Sequence, residues 1–139
     1  MLVQDLITRA PVVVRPGAPL STAATRMRDA AVGSIVVVEE REPVGVLTDR
    51  DVALALGEGL EEAAVRDIMT PHPICIDAKA DMEMCLERME EFGVRRMLIM
   101  EGEALVGVVS LDDILIHLGY LMSKASSLIR SEIGVRLML

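Results

Sequence analysis

The sequence predicts an α/β (α+β) fold: two β-α-β-β-α repeats packed with pseudo-twofold symmetry, followed by a C-terminal helical extension. Three observations carry that prediction. The stretch "GVLTDRD" at 45–51 returns as "GVVSLDD" at 107–113, 62 residues further on. Short apolar runs that follow proline, "PVVV" and "PICI", alternate with stretches whose apolar residues fall at helical spacing. That helical spacing then continues beyond the second copy.

The two copies match without a gap. Val3, Asp5, Thr8 and Pro11 meet Val65, Asp67, Thr70 and Pro73. Ala18, Arg26, Met27 and Val32 meet Ala80, Arg88, Met89 and Val94. Glu39, Val44, Gly45, Val46 and Asp51 meet Glu101, Val106, Gly107, Val108 and Asp113. A repeat decides the fold, because each copy is a unit that must bury its apolar face against its twin.

Within each copy the elements follow one order. "PVVV" and "PICI" read as buried strands. Leu20, Ala23, Ala24 and Met27, and then Met82, Cys85, Leu86 and Met89, mark a helix in each copy. Pro19 and Asp81 suit its first turn. "SIVVVEE" with "PVGVLT", and "RMLIMEG" with "ALVGVVS", are strand pairs around polar turns. A second helix opens at Thr48 or Ser110, both good N-caps with acidic residues behind them. The first repeat spans 1–58, the second 63–118 and the helical extension 119–139. A unit of about fifty residues is marginal alone, so two copies should form one globule with two equivalent clefts between the halves.

Composition limits what such a globule does. The chain has 139 residues, a net charge of −8 and no run of Lys or Arg, so a phosphate backbone is repelled. With one Phe and one Tyr there is no aromatic platform for bases, and no nucleic-acid partner is expected. The longest uncharged stretch of the C-terminal half, "ILIHLGYLMS", is too short to span a membrane, and the N-terminus lacks the basic start of a signal peptide. We therefore expect a cytoplasmic protein. Cys75 and Cys85 lack metal-ligand spacing and read as buried thiols; His72 and His117 are too isolated for a metal site. The ten methionines read as core filling.

The repeat resembles a tandem pair of CBS domains, the regulatory modules named after cystathionine β-synthase. The resemblance covers residues 1 to about 118. It rests on "VQDLITRAPVVV" and "VRDIMTPHPICI", on "AVGSIVVVEEREPVGVLTDRD" and on "FGVRRMLIMEGEALVGVVSLDD". It implies a regulatory module without catalysis of its own. Such pairs bind adenosine-containing ligands (AMP, ADP, ATP, S-adenosylmethionine or NAD) in the clefts between repeats, and many stack as dimers into a flat disc. No cofactor is required.

By this analogy Asp51 and Asp113 are ribose binders, since one carboxylate can accept from both hydroxyls of the diol. Thr48 and Ser110 sit at helix N-termini, where free N–H groups favour a phosphate. The same four residues also suit plain helix capping, and the two roles are compatible. Arg95 and Arg96 match a basic pair that holds phosphates in some family members, with guanidinium forks suited to paired oxygens. An edge pair answering Glu90 and Glu91 is the other reading. Arg50 is a third candidate cation, or an exposed first-turn residue. Adenine should lie between aliphatic side chains near Pro11, Val12, Pro73 and Ile74, positions that also suit strand-entry core. Because Arg95 and Arg96 belong to the second repeat, Asp113→Ala is expected to weaken binding more than Asp51→Ala. Family members often carry Thr or Ser just before the first helix. Ala18 and Ala80 stand there instead, so each cleft is expected to lack that hydroxyl.

The tail from Ile114 to Ile129 keeps an apolar stripe at helical spacing, with Gly119 and Gly134 as weak points. It should lie against a partner protomer in a homodimer, the alternative being its own module. The expected function is an adenosine-ligand sensor acting on a partner protein not identifiable from sequence. The alternative is a structural dimerisation module with empty clefts. No nucleophile–base set or metal cluster supports an enzyme.

Overall fold

The computed structural model of the chain describes residues 1–7 and 9–138. Thr8 and Leu139 lie outside them. Two sheets form, one per repeat. In the first repeat β1 (Val13–Val14) leads to α1 (Leu20–Ala30), then β2 (Ser34–Glu39), β3 (Glu42–Thr48) and α2 (Asp49–Gly57). After a turn, α3 (Val65–Ile68) and β4 (Thr70–Pro71) precede the second copy. That copy runs β5 (Cys75–Asp77), α4 (Met82–Phe92), β6 (Arg96–Glu101), β7 (Ala104–Ser110) and α5 (Leu111–Met138). The β-α-β-β-α order expected from sequence is present twice. The register also repeats: Ser34 pairs with Thr48 as Arg96 pairs with Ser110.

Each sheet is buried on both faces, which explains why its strands read as continuous apolar runs rather than alternating ones. Ile35, Val37 and Leu47 turn inward with Leu20, Ala23 and Met27 of α1. Met97, Ile99 and Val109 do the same with Cys85 and Met89 of α4. The residues between them, Val36, Val46, Leu98 and Val108, take the other face and line cavities between the repeats.

Three short segments were not foreseen as elements: the 3-10 turn Val3–Leu6, α3 and β4. They show that the copies are interlaced. Val3 and Ile7 open the first repeat in sequence yet pack in the second core, with Val3 fully buried. Val65 and Met69 open the second repeat and pack in the first core. The backbone bonds mirror each other. Val3 N donates to Ala80 O at 2.7 Å and Val65 N to Ala18 O at 2.8 Å. Gln4 N donates to Ala78 O at 3.1 Å and Arg66 N to Pro16 O at 2.9 Å. β4 adds antiparallel to β3, placing Pro71 opposite Gly45.

This exchange explains the glycine that opens the repeated motif. A Cβ on Gly107 would meet Ile7 Cγ1 at 2.8 Å, and one on Gly45 would press on the Met69 side chain and Thr70 O. Each glycine is the floor over which the other copy's entering segment passes.

The extension is continuous with the second repeat's last helix and runs through Gly119 and Gly134 without a break. Ile114 is its buried anchor, whereas every residue from Gly119 to Glu132 is exposed. The tail therefore does not pack back on its own module. No helix among the described residues is long and apolar enough to cross a membrane.

Candidate functional site

The motif that opens α2 is a closed capping box. Thr48 Oγ1 accepts from Asp51 N at 3.1 Å, and Asp51 Oδ2 accepts from Thr48 N at 2.8 Å. Ser110 and Asp113 repeat it at 3.1 and 3.0 Å. Asp at the third helical position does this because its short side chain reaches back one turn. The box uses only Oδ2 of each carboxylate. Among the described residues, Oδ1 of Asp51 and of Asp113 has no hydrogen-bond partner. The threonine and serine hydroxyls accept through oxygen and keep their protons free to donate.

Two cavities of about 250 Å³ each lie beside these boxes. The first is lined by Thr48, His72, Pro73, Ile74, Arg95 and Arg96, over walls of Val36, Val46, Leu98 and Val108. The second is lined by Ser110 and Asp113, Arg9, Pro11, Val12 and Arg96. Each cavity thus joins the capping box of one repeat to the entry segment of the other. Pro11 sits with Ser110 and Pro73 with Thr48 because the strands carrying them flank the shared interface. Arg96 and Ser34 line both cavities, since they begin β6 and β2 at the pseudo-twofold centre.

This geometry separates the two arginines. Arg95 belongs to the second repeat by sequence but lines the cavity of Thr48, not that of Asp113. Interlacing is the reason: the start of β6 faces the other repeat's helix. Arg95 Nη2 also lies 3.4 Å from Asp112 Oδ1, an exposed pair of small energetic weight, and neither arginine pairs with Glu90 or Glu91. Arg96 makes no ion pair among the described residues, and its Nη2 lies about 4.0 Å from the Cβ position of Gly33 in the other repeat. Asp51 stands half-buried behind Thr48 rather than on the cavity wall. Arg50 lines neither cavity; it is exposed, and its N–H donates to Asp49 Oδ1 at 2.8 Å.

Ala18 and Ala80 also stand apart from both cavities. Their carbonyls receive Val65 N and Val3 N, and the helices start without them: Asp81 caps α4 by accepting from Met84 N at 2.8 Å. Arg9 and His72 were not singled out from sequence. They are not equivalent in the two copies, so the repeat gave no signal for them. The structure brings them to the second and first cavity, with Arg9 Nη1 bound to Ala30 O at 3.0 Å.

Both cysteines are free thiols. Burial pushes the Cys85 thiol above its ordinary range; burial does the same at Cys75, opposed by the nearby Arg88 guanidinium. Native Cys85 should resist an exchange reagent at neutral pH and react after denaturation. The unfolded thiols release their protons at lower pH than the folded ones. Stability should therefore hold through neutrality and fall as pH rises past about 8.5, checked by denaturant titrations across pH.

Comparison with known proteins agrees with this architecture. The CBS domain family model matches residues 3–58 and 65–120. A protein of Methanopyrus kandleri, MK0525, is 34% identical over 107 residues, 71% of this chain and 55% of that protein. The chain thus spans about half the length of that relative. The CBS domain protein PAE2072 from Pyrobaculum aerophilum, solved in complex with AMP, superposes with a TM-score of 0.78 at 24% identity, covering 91% of this chain and 99% of that one. The CBS domain pair of the protein MJ0100, solved with 5'-methylthioadenosine and S-adenosyl-L-methionine, gives 0.77 at 21% identity, covering 86% and 96%.

Proposed function

The chain belongs to the CBS domain family, and we propose that it is a regulatory module taking an adenosine-containing ligand in its interlaced clefts and acting as a homodimeric sensor on a partner protein. One observation carries the reading. The first cavity gathers aliphatic walls, a helix N-terminus and two guanidinium groups from both repeats. Aliphatic walls suit a purine, and N–H groups with paired arginines suit phosphate. In the second cavity, the Oδ1 of Asp113 left over from the capping box suits a ribose hydroxyl. The AMP and S-adenosyl-L-methionine bound by structural relatives support the same ligand class. A ligand held by both repeats stabilises their pairing by mass action, the physical basis of a sensor. The chemistry is binding, not catalysis, and free thiols fit a cytoplasmic setting.

The test is thermal unfolding against AMP, ADP, ATP, S-adenosylmethionine and NAD. A ligand at roughly a hundred times its Kd adds about 2.7 kcal/mol. We expect a clear upward shift with at least one, and a larger loss of that shift in Asp113→Ala, on the wall of its cavity, than in Asp51→Ala, which lines neither. No shift with any ligand at millimolar concentration would leave a structural dimerisation module instead.

The homodimer is proposed from α5, where Ile116, Met122 and Leu128 are each more than 70% exposed. Light scattering should give twice the chain mass. Met122→Glu with Leu128→Glu should give the monomer; a wild-type monomer would remove the dimer from the proposal.

A further inference from the structure

A larger cavity, about 790 Å³, lies away from the clefts, at the outer end of β1 and β2 in the first repeat. Its floor is apolar, formed by Val13, Pro16 and Val38, and its rim carries Arg15, Arg26, Arg41 and Arg66. Glu39 and Glu40 are the acidic residues of its lining, so the lining sums to 4 − 2 = +2 in a protein of net charge −8.

The second repeat provides an internal control, because the surrounding strand pairing is duplicated there. Arg26 has a structural duty, donating to Val13 O at 2.6 Å, and its counterpart Arg88 donates to Cys75 O at 2.9 Å. The other three arginines have no such counterpart. In register, Arg15 meets Asp77, Arg41 meets Glu103 and Arg66 meets Gln4. The same fold is therefore built without them, and packing does not require their charge.

Their side chains also lack internal partners. Among the described residues, Arg15, Arg41 and Arg66 form no ion pair and no side-chain hydrogen bond. Glu40 and Arg41 make the β2–β3 turn with φ of 48° and 74°, a left-handed turn in which glycine is unstrained. The second copy places Gly102 at the first of these positions. Arg41 itself holds a left-handed backbone that favours glycine, and what it adds is a guanidinium at the cavity rim.

We propose that this cavity is a binding site, separate from the clefts between repeats, for a small organic anion bearing two or more phosphoryl groups. The three unpartnered guanidinium forks match several phosphoryl oxygens, and the apolar floor accepts an uncharged body. The volume falls within the range of small-molecule sites.

Isothermal titration of the full chain with inorganic pyrophosphate and triphosphate at low ionic strength tests the charged part of this recognition. Saturable binding is expected. Arg15→Asp, Arg41→Glu and Arg66→Gln together, which copy the second repeat, should weaken it at least tenfold. The titrations are made in an Arg95→Ala, Arg96→Ala background, which takes the cleft arginines out of the reading. Absence of saturable binding, or equal binding by the triple variant, would each overturn the proposal. Should the triple variant fail to unfold cooperatively, Arg41→Glu alone, at an exposed turn, should still weaken binding at least threefold, and no change there would overturn the proposal.

Discussion

Arg96→Glu is expected to abolish nucleotide binding in both clefts at once, a loss of a hundredfold or more, equivalent to about 2.7 kcal/mol. Arg96 lines both cavities. The substitution removes a charge-assisted contact worth roughly 1.5–3 kcal/mol and adds like-charge repulsion toward phosphate. Arg96 is exposed and holds no internal ion pair among the described residues, so the fold should tolerate the change. Arg95→Ala is the informative partner. It should weaken the first cleft alone, leaving residual binding at the second. Calorimetry on both variants, with unfolding curves as a control, checks this. Full affinity in Arg96→Glu would mean that the ligand's phosphates do not meet at the pseudo-twofold centre.

Removal of residues 1–7 should destabilise the second repeat, although those residues belong to the first in sequence. The segment buries Val3, packs Leu6 and Ile7 against the second core and donates backbone hydrogen bonds to Ala80 and Ala78. A fully buried valine alone contributes about 1.5–3 kcal/mol. With Leu6 and Ile7 the loss should exceed about 4 kcal/mol, a large part of an ordinary domain's stability. Gly107→Ala is the graded version. Its Cβ would meet Ile7, a stiff β-branched side chain, and should cost about 1–3 kcal/mol. Denaturant unfolding measures both. If the truncated chain keeps the stability of the full one, the exchange of entry segments is not what holds the second core closed.

Much of the fold was legible because the chain states it twice. Helical spacing at Leu20, Ala23 and Met27, the strand runs, and Thr48 and Ser110 as caps all follow from local chemistry, and the structure has each of them. So does the continuous helix beyond Ser110. The capping box was half legible: Thr48 was read as the cap, but the reach of Asp51 back to Thr48 N was not. Arg50 shows the limit of local reading. It lies two residues past a motif threonine, yet it is exposed and lines neither cavity, which the local pattern does not indicate.

The sequence by itself determined the repeat, its elements and the chemical kinds of residue at the clefts. Only the tertiary structure decided which residues meet. Sequence order assigns Arg95 to the cleft of Asp113, and the structure places it in the cavity of Thr48, because each entry segment crosses to the other copy. The same crossing takes Val3 to the second core, makes Gly45 and Gly107 necessary, and sets Ala18 and Ala80 outside the clefts. The reason is physical. Periodicity and capping act over a few residues and are written locally. The choice between packing on one's own copy or on its twin is settled by burial between surfaces of nearly the same composition, and no local pattern distinguishes them.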